Sequence, residues 1–334
     1  MIFIYQFVKI KACVEDHCAF GVSYTEGSSL KGYEVEDILW LGTENIEQSI
    51  KQYMTMAVPM TFGCELSEKG LIADQYADGI MGLSWVPNNE DKDNDDHQAV
   101  NIITKMYQDG VIPNHAFSIC MTRYKGILSL GGTALHLYSY LHPPSNNENQ
   151  KRRTHLREMK MVPISKSNGY YSIEIEDFHI GGIPVQKSKQ EIMSIFNERK
   201  GTIIDSGTSD TYLPKGIQSE FNTIWKTLAN SYHSNNIRTY TKEEFQKLPN
   251  ITFTLQGGHT WTIEPDQYME PVEVSLQDRQ EDENIDDWTT KEFYNRIYVD
   301  EPIGAVLGAN AMFGHDVLFD IGNRRIGIAR ANCS

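Results

Sequence analysis

Residues 201–214, Gly201-Thr-Ile-Ile-Asp-Ser-Gly-Thr-Ser-Asp-Thr-Tyr-Leu-Pro214, constrain this chain more than any other stretch. Thr202 to Ile204 predicts a short apolar strand that runs straight into Asp205-Ser206-Gly207-Thr208. Gly207 lets the backbone turn sharply beneath a carboxylate. The hydroxyls of Ser206 and Thr208 can hydrogen-bond that carboxylate and its loop. The pattern therefore predicts one acid held at a strand end and pointing into a cleft. An ordinary turn aspartate is the plainer alternative, and the apolar strand before it with Tyr-Leu-Pro after it argues against that.

Strand signals dominate elsewhere. Phe20 to Tyr24 and Gly32 to Leu41 flank the polar tip Glu26-Gly27-Ser28-Ser29, which predicts a hairpin. Tyr53 to Phe62, Phe117 to Cys120, Gly126 to Gly132 and Tyr170 to Ile180 read as further strands. So do Ile251 to Leu255, Trp261 to Ile263, Val317 to Phe319 and Arg325 to Ala329. Helical spacing is confined to two segments. Ala99 to Tyr107 places Ile102, Ile103 and Met106 on one face, and Ile217 to Leu228 is the second. Residues 143–158 are polar and aperiodic, which predicts a loop. Met161 to Ile164 is the expected junction between two halves. There is a faint two-fold echo: Ile80-Met81-Gly82 and Val306-Leu307-Gly308 are both apolar-apolar-glycine, each late in its half.

With 334 residues, 40% of them hydrophobic, the chain can bury a large core. A formal net charge of −15 argues against nucleic acid and anionic membrane as partners. Much of the charge sits in Glu90 to Asp96 and Asp278 to Asp287, both read as solvated loops. No apolar run is long enough to span a bilayer, and Met1 to Lys11 lacks the marks of a signal peptide and reads as a strand. Five cysteines, Cys13, Cys18, Cys64, Cys120 and Cys333, leave one without an intrachain partner if the rest pair. Cys13 and Cys18 with His17 between them hint at a metal, but no second ligand pair follows, so no metal is expected. Asn250-Ile-Thr252 is a glycosylation sequon that opens a strand.

Taken in order, these features resemble the pepsin-like aspartic proteases (peptidase A1) over nearly the whole chain. The resemblance rests on Asp205-Ser-Gly-Thr-Ser-Asp-Thr-Tyr-Leu-Pro214, on Val306-Leu-Gly308 with the segment continuing to Cys333, on the flap-like hairpin from Tyr24 to Asp37, and on Asp78-Gly-Ile-Met-Gly-Leu-Ser84. It implies an all-β, bilobal fold with a few short helices, an N-terminal lobe over 1–162 and a C-terminal lobe over 163–334. It implies that Asp205 is catalytic, that Ser206, Gly207 and Thr208 support its loop, and that Tyr24 and Gly27 belong to a flap that closes over substrate. Gly82 and Gly308 would end the segments crossing beneath each active loop. Cys120 and Cys333 resemble a bridge joining the lobes in membrane-anchored and plant-type members, and Cys13 and Cys18 before the flap favour the same branches. Asp210, apolar in gastric pepsin, is placed at the surface or cleft edge without a role.

The family uses two aspartates, and only one Asp-Ser/Thr-Gly occurs in this sequence. Only 23 residues precede Tyr24, and none forms such a loop, so the N-terminal lobe is expected to be incomplete, from a truncated gene model or splice form. Unpaired edges and exposed apolar surface are expected in that lobe. The resemblance implies an endopeptidase acting on peptide or protein, without cofactor, as a monomer, in the secretory, endolysosomal/vacuolar or extracellular space. The alternative is a pepsin-like protein that binds peptide or protein without cutting it. A homodimer pairing two Asp205 loops is disfavoured, because both halves of the fold are represented in one chain.

Overall fold

The structure, a computed structural model, describes residues 2–3, 12–14, 17–24, 27–41, 56–74, 79–85, 100–133, 158–166, 169–272 and 290–333. The acidic runs 90–96 and 278–287, the polar segment 143–157, Asp78 and the side chains of Cys13 and His17 lie outside the described residues. Strands predominate and the helices are short, so the fold is all-β with a few short helices, as expected.

The sheet that carries Asp205 has five strands, in the order Ser172–Ile173, Thr202–Ile204, Ala305–Leu307, Thr211–Pro214 and Ile297–Glu301. Thr202–Ile204 and Ala305–Leu307 run parallel, with Ile204 opposite Leu307. Every residue of both strands is buried. That explains their continuous apolar runs: parallel strands covered on both faces have no solvent side to alternate toward.

A second five-stranded sheet stitches distant parts of the chain together. Its order is Gly126–Leu130, Ala116–Met121, His315–Asp320, Arg325–Arg330 and Lys160–Pro163. The stretch 161–164, expected as a junction, contributes the last of these strands, paired with Arg325–Arg330. The Cys120–Cys333 disulfide fastens this sheet across 213 residues of sequence. Cys18 is also disulfide-bonded, while Cys64 is free.

The hairpin expected around Gly27 is present. His17–Ser23 pairs with Ser29–Leu39, and Gly27 takes φ +98 at the turn, a conformation glycine adopts freely. Ser29–Leu39 pairs in turn with Val58–Lys69. That strand runs seven residues beyond the expected end at Phe62. Glu65, Ser67, Glu68 and Lys69 hid it, because an exposed ribbon needs little apolar alternation. The two expected helices are Ile102–Gln108 and Gln218–Ala229. The first buries Ile102, Ile103 and Met106 and is capped by Asn101, whose side chain accepts from Thr104 N–H at 2.9 Å.

One continuous apolar core links Val58 to Ile328 and includes Ile204, Leu213, Ala305 and Leu307. A separate small cluster of Val22, Tyr24, Leu30 and Ile72 lies beside the turn of the Gly27 hairpin. Ile38, Phe62, Leu66 and Leu71, near or along the Ser29–Leu39/Val58–Lys69 ribbon, are exposed.

Candidate active site

Asp205 is 1% exposed, at the end of a strand whose neighbours fix its backbone: its N–H donates to Leu307 O at 3.0 Å and Ile204 N–H to Tyr171 O at 3.0 Å. A carboxylate so enclosed must be hydrogen-bonded to be tolerated. Gly207 N–H donates to Oδ1 at 3.0 Å and the Thr208 hydroxyl to Oδ2 at 2.6 Å. Both oxygens are therefore held, and the loop returns under them, with Thr208 N–H on Asp205 O at 3.2 Å. Ser206, Gly207 and Thr208 are each half-buried around the acid.

Gly308 forms the floor. Ala309 N–H donates to Thr208 O at 2.7 Å and Asn310 N–H to Ser209 O at 3.1 Å. A Cβ on Gly308 would stand 2.1 Å from Asp210 O and 2.6 Å from Thr208 O, so only glycine lets the crossing segment approach this loop. Asn310, itself buried, accepts from the Thr211 hydroxyl at 2.6 Å and donates to Arg296 O at 3.1 Å. It ties the strand leaving the loop to its neighbour, and sequence reasoning missed it.

Tyr171 was also missed. Its ring is fully buried and its hydroxyl donates to Leu83 O at 2.8 Å, while its carbonyl receives Ile204 N–H. Burial pushes its phenol well above the ordinary value. One residue thus joins the segment after Gly82 to the strand that ends in Asp205. Its place at the head of an alternating strand gave no hint of this.

Gly82 closes the matching segment of the other half. Met81–Gly82 pairs parallel with Ile2–Phe3, Ile2 opposite Met81 and Phe3 opposite Gly82. In the C-terminal half Ile204 lies opposite Leu307, one residue before Gly308. The two ladders therefore equate Ile2 with Ile204, and Phe3 with Asp205.

Tyr24 is buried in the small cluster with Val22, Leu30 and Ile72, and its backbone closes the turn through N–H to Ser28 O at 2.9 Å. Asp210 is not a plain surface residue. Its side chain is 17% exposed, with Arg296 Nη1 at 3.9 Å, and burial raises its carboxyl to about 6. Among the described residues no group of three or more His, Cys, Asp or Glu could hold a metal, and no helix is long and apolar enough to cross a membrane, which leaves strand-built spans unaddressed.

The family model for eukaryotic aspartyl proteases matches residues 4–331. The chain belongs to that family. Plasmepsin V of Plasmodium falciparum is 22% identical over 270 residues, covering 70% of this chain and 42% of that protein. Aspartyl protease AED1 of Arabidopsis thaliana is 20% identical over 334 residues, covering 97% of this chain and 58% of the relative. Pepsin A of Suncus murinus is 23% identical over 274 residues, covering 80% of this chain and 58% of its own length. The chain thus spans less than half of the plasmepsin and somewhat over half of the other two.

Proposed function

We propose that this aspartyl protease family member is an endopeptidase of the aspartic type, with Asp205 supplying one of the two carboxylates that the reaction needs. Two carboxyl groups about 3 Å apart share a proton, because both cannot ionise. The charged member takes a proton from a water between them, and the protonated member donates to the carbonyl oxygen of the scissile bond. The observation that carries this reading is the grip on Asp205: two donors, one per oxygen, at the end of a buried parallel strand pair.

In this reading residues 1–162 and 163–334 are two lobes around a peptide cleft, with Gly82 and Gly308 under its floor. Ser206, Gly207 and Thr208 keep the Asp205 loop rigid. The Gly27 hairpin is the flap, and Tyr24 at its turn closes over substrate. The disulfides at Cys18 and Cys120–Cys333 favour an oxidising compartment, secretory, endolysosomal or extracellular. A monomer suffices, since both lobes are in one chain.

One observation favours a second reading, a peptide binder that does not cut: the ladder position equated with Asp205 holds Phe3. A lone carboxylate lacks its acid partner. Incubating the purified chain and Asp205→Asn with a mixed peptide library between pH 3 and 7 separates the two. Cleavage by the parent that falls by about a thousandfold or more in the variant supports the endopeptidase. Peptide binding without cleavage supports the binder, and equal cleavage by both proteins sinks the assignment of Asp205.

A further inference from the structure

Beyond the Asp205 loop the chain enters Thr211–Pro214, in which Thr211 and Leu213 are buried while Asp210 and Tyr212 share the outward face. The same alternation along Thr290–Asn295 and Ile297–Glu301, the latter paired with Thr211–Pro214, puts Tyr294, Arg296 and Tyr298 outward, between buried Phe293, Asn295, Ile297 and Val299. Tyr212 lies opposite Tyr298 and their rings stack at 5.0 Å. Arg296 sits over the Tyr294 ring at 4.6 Å.

The charges on this face are unevenly matched. Arg296 makes a close side-chain hydrogen bond and ion pair with Glu270, which lies across the ladder from Tyr294. Asp210 is left with Arg296 at 3.9 Å, beyond hydrogen-bond length. Arg123, the other cation near Glu270, is taken up by the carbonyls of Asp266, Gln267 and Met269. Asp300 adds a further negative charge beside Tyr212. The face therefore carries a half-buried acid whose charge is only partly met, walled by an aromatic pair. Burial pushes that acid up to about 6, the mark of a carboxylate short of favourable partners.

Its position relative to Asp205 is fixed by backbone. Gly308 is wedged against the carbonyls of both Thr208 and Asp210, and Thr208 holds the Asp205 carboxylate. Asp210 therefore cannot drift from the proposed reacting centre. We infer that Asp210, with Tyr212 and Tyr298 beside it, forms a specificity subsite for a lysine or arginine side chain of the peptide. A peptide cation would complete the ion pair that Arg296 leaves open, and its apolar stem or guanidinium plane would lie against the Tyr212 ring. This rests on the reading of Asp205 as the centre of a peptide site but needs no cleavage.

The test is binding of fluorescent decapeptides that differ at one position, carrying arginine, lysine, norleucine or glutamate, scanned along the peptide. At one position the parent is expected to bind the basic peptides at least about tenfold more tightly than norleucine. Asp210→Asn should bring the two within about twofold, and Asp210→Glu should restore part of the preference. A parent without basic preference, or a preference that survives Asp210→Asn, overturns the subsite. Binding of no peptide at all overturns the subsite and the peptide-site reading together. Binding with basic preference but no cleavage upholds the subsite and removes only the endopeptidase.

Discussion

In the C-terminal half, a buried strand pairs with Ala305–Leu307 and ends in a carboxylate gripped by two donors. In the N-terminal half, Ile2–Phe3 pairs with Met81–Gly82 in the same parallel sense and has phenylalanine at the corresponding rung. The strand crossing is common to both, and the acid occurs in one. The surroundings differ as well. The Asp205 crossing lies in the core that runs from Val58 to Ile328, whereas the Gly27 hairpin packs on four buried residues. Apolar-apolar-glycine therefore accompanies the crossing in both halves, while the acid depends on a separate loop sequence, Asp-Ser-Gly-Thr.

The largest break in this comparison should come from the floor glycine. Gly308→Ala drives a Cβ into two backbone carbonyls that cannot move without the Asp205 loop, and should cost about 3 kcal/mol or more. Gly27→Ala is the contrasting case. Its Cβ would meet nothing within 4 Å, and the penalty is the positive φ alone, about 1 kcal/mol. Urea titrations of the two variants read the difference directly, and equal losses would erase it.

Cys120→Ser with Cys333→Ser opens the bridge across the shared sheet and should lower stability by about 2–5 kcal/mol. Tyr171→Phe removes the hydroxyl bond to Leu83 and should cost about 1–2 kcal/mol. If the tie between halves is as described, Tyr171→Phe also speeds amide exchange around Leu83 more than around Phe253. Uniform exchange would show that Tyr171 only fills space.

The smallest effect is on pH. Burial holds the rings of His233 and His315 down to about 4, below the ordinary value of 6.5. The unfolded chain therefore binds more protons between pH 6.5 and 4, and stability falls as pH drops through that window. Asp210, raised to about 6, and Glu65, raised to about 7 by burial and by its neighbour Glu68, act in the opposite direction and offset much of the loss. Removing one lowered histidine removes part of the loss, so from pH 7 to pH 4.5 the melting temperature of His315→Gln should rise relative to that of the parent. A fall of the variant relative to the parent would contradict the direction of the His315 shift.

Much of this was legible in the residues. The all-β class, the Gly27 hairpin, the two helices and the Asp205 loop follow from local patterns, because each is specified by neighbours in sequence. What was not legible depends on partners far along the chain. Lys160–Pro163 joins the sheet of Arg325–Arg330, and Val58–Lys69 continues through charged residues because its ribbon is solvated. Tyr171, Asn310 and the Asp210–Arg296–Glu270 group acquire meaning only when strands distant in sequence are brought side by side. The packing of Tyr24 with Val22, Leu30 and Ile72 beside the Gly27 turn likewise brings in Ile72, a residue far from the hairpin in sequence.

The most direct test of the account is calorimetric binding of pepstatin, a peptide with a hydroxyl in place of the attacking water, to the parent and to Asp205→Asn at pH 5. The account predicts saturable binding by the parent and at least a tenfold loss in the variant, because the hydroxyl must meet the Asp205 carboxylate. Equal affinity for both proteins would place the peptide site elsewhere and contradict the central role of Asp205.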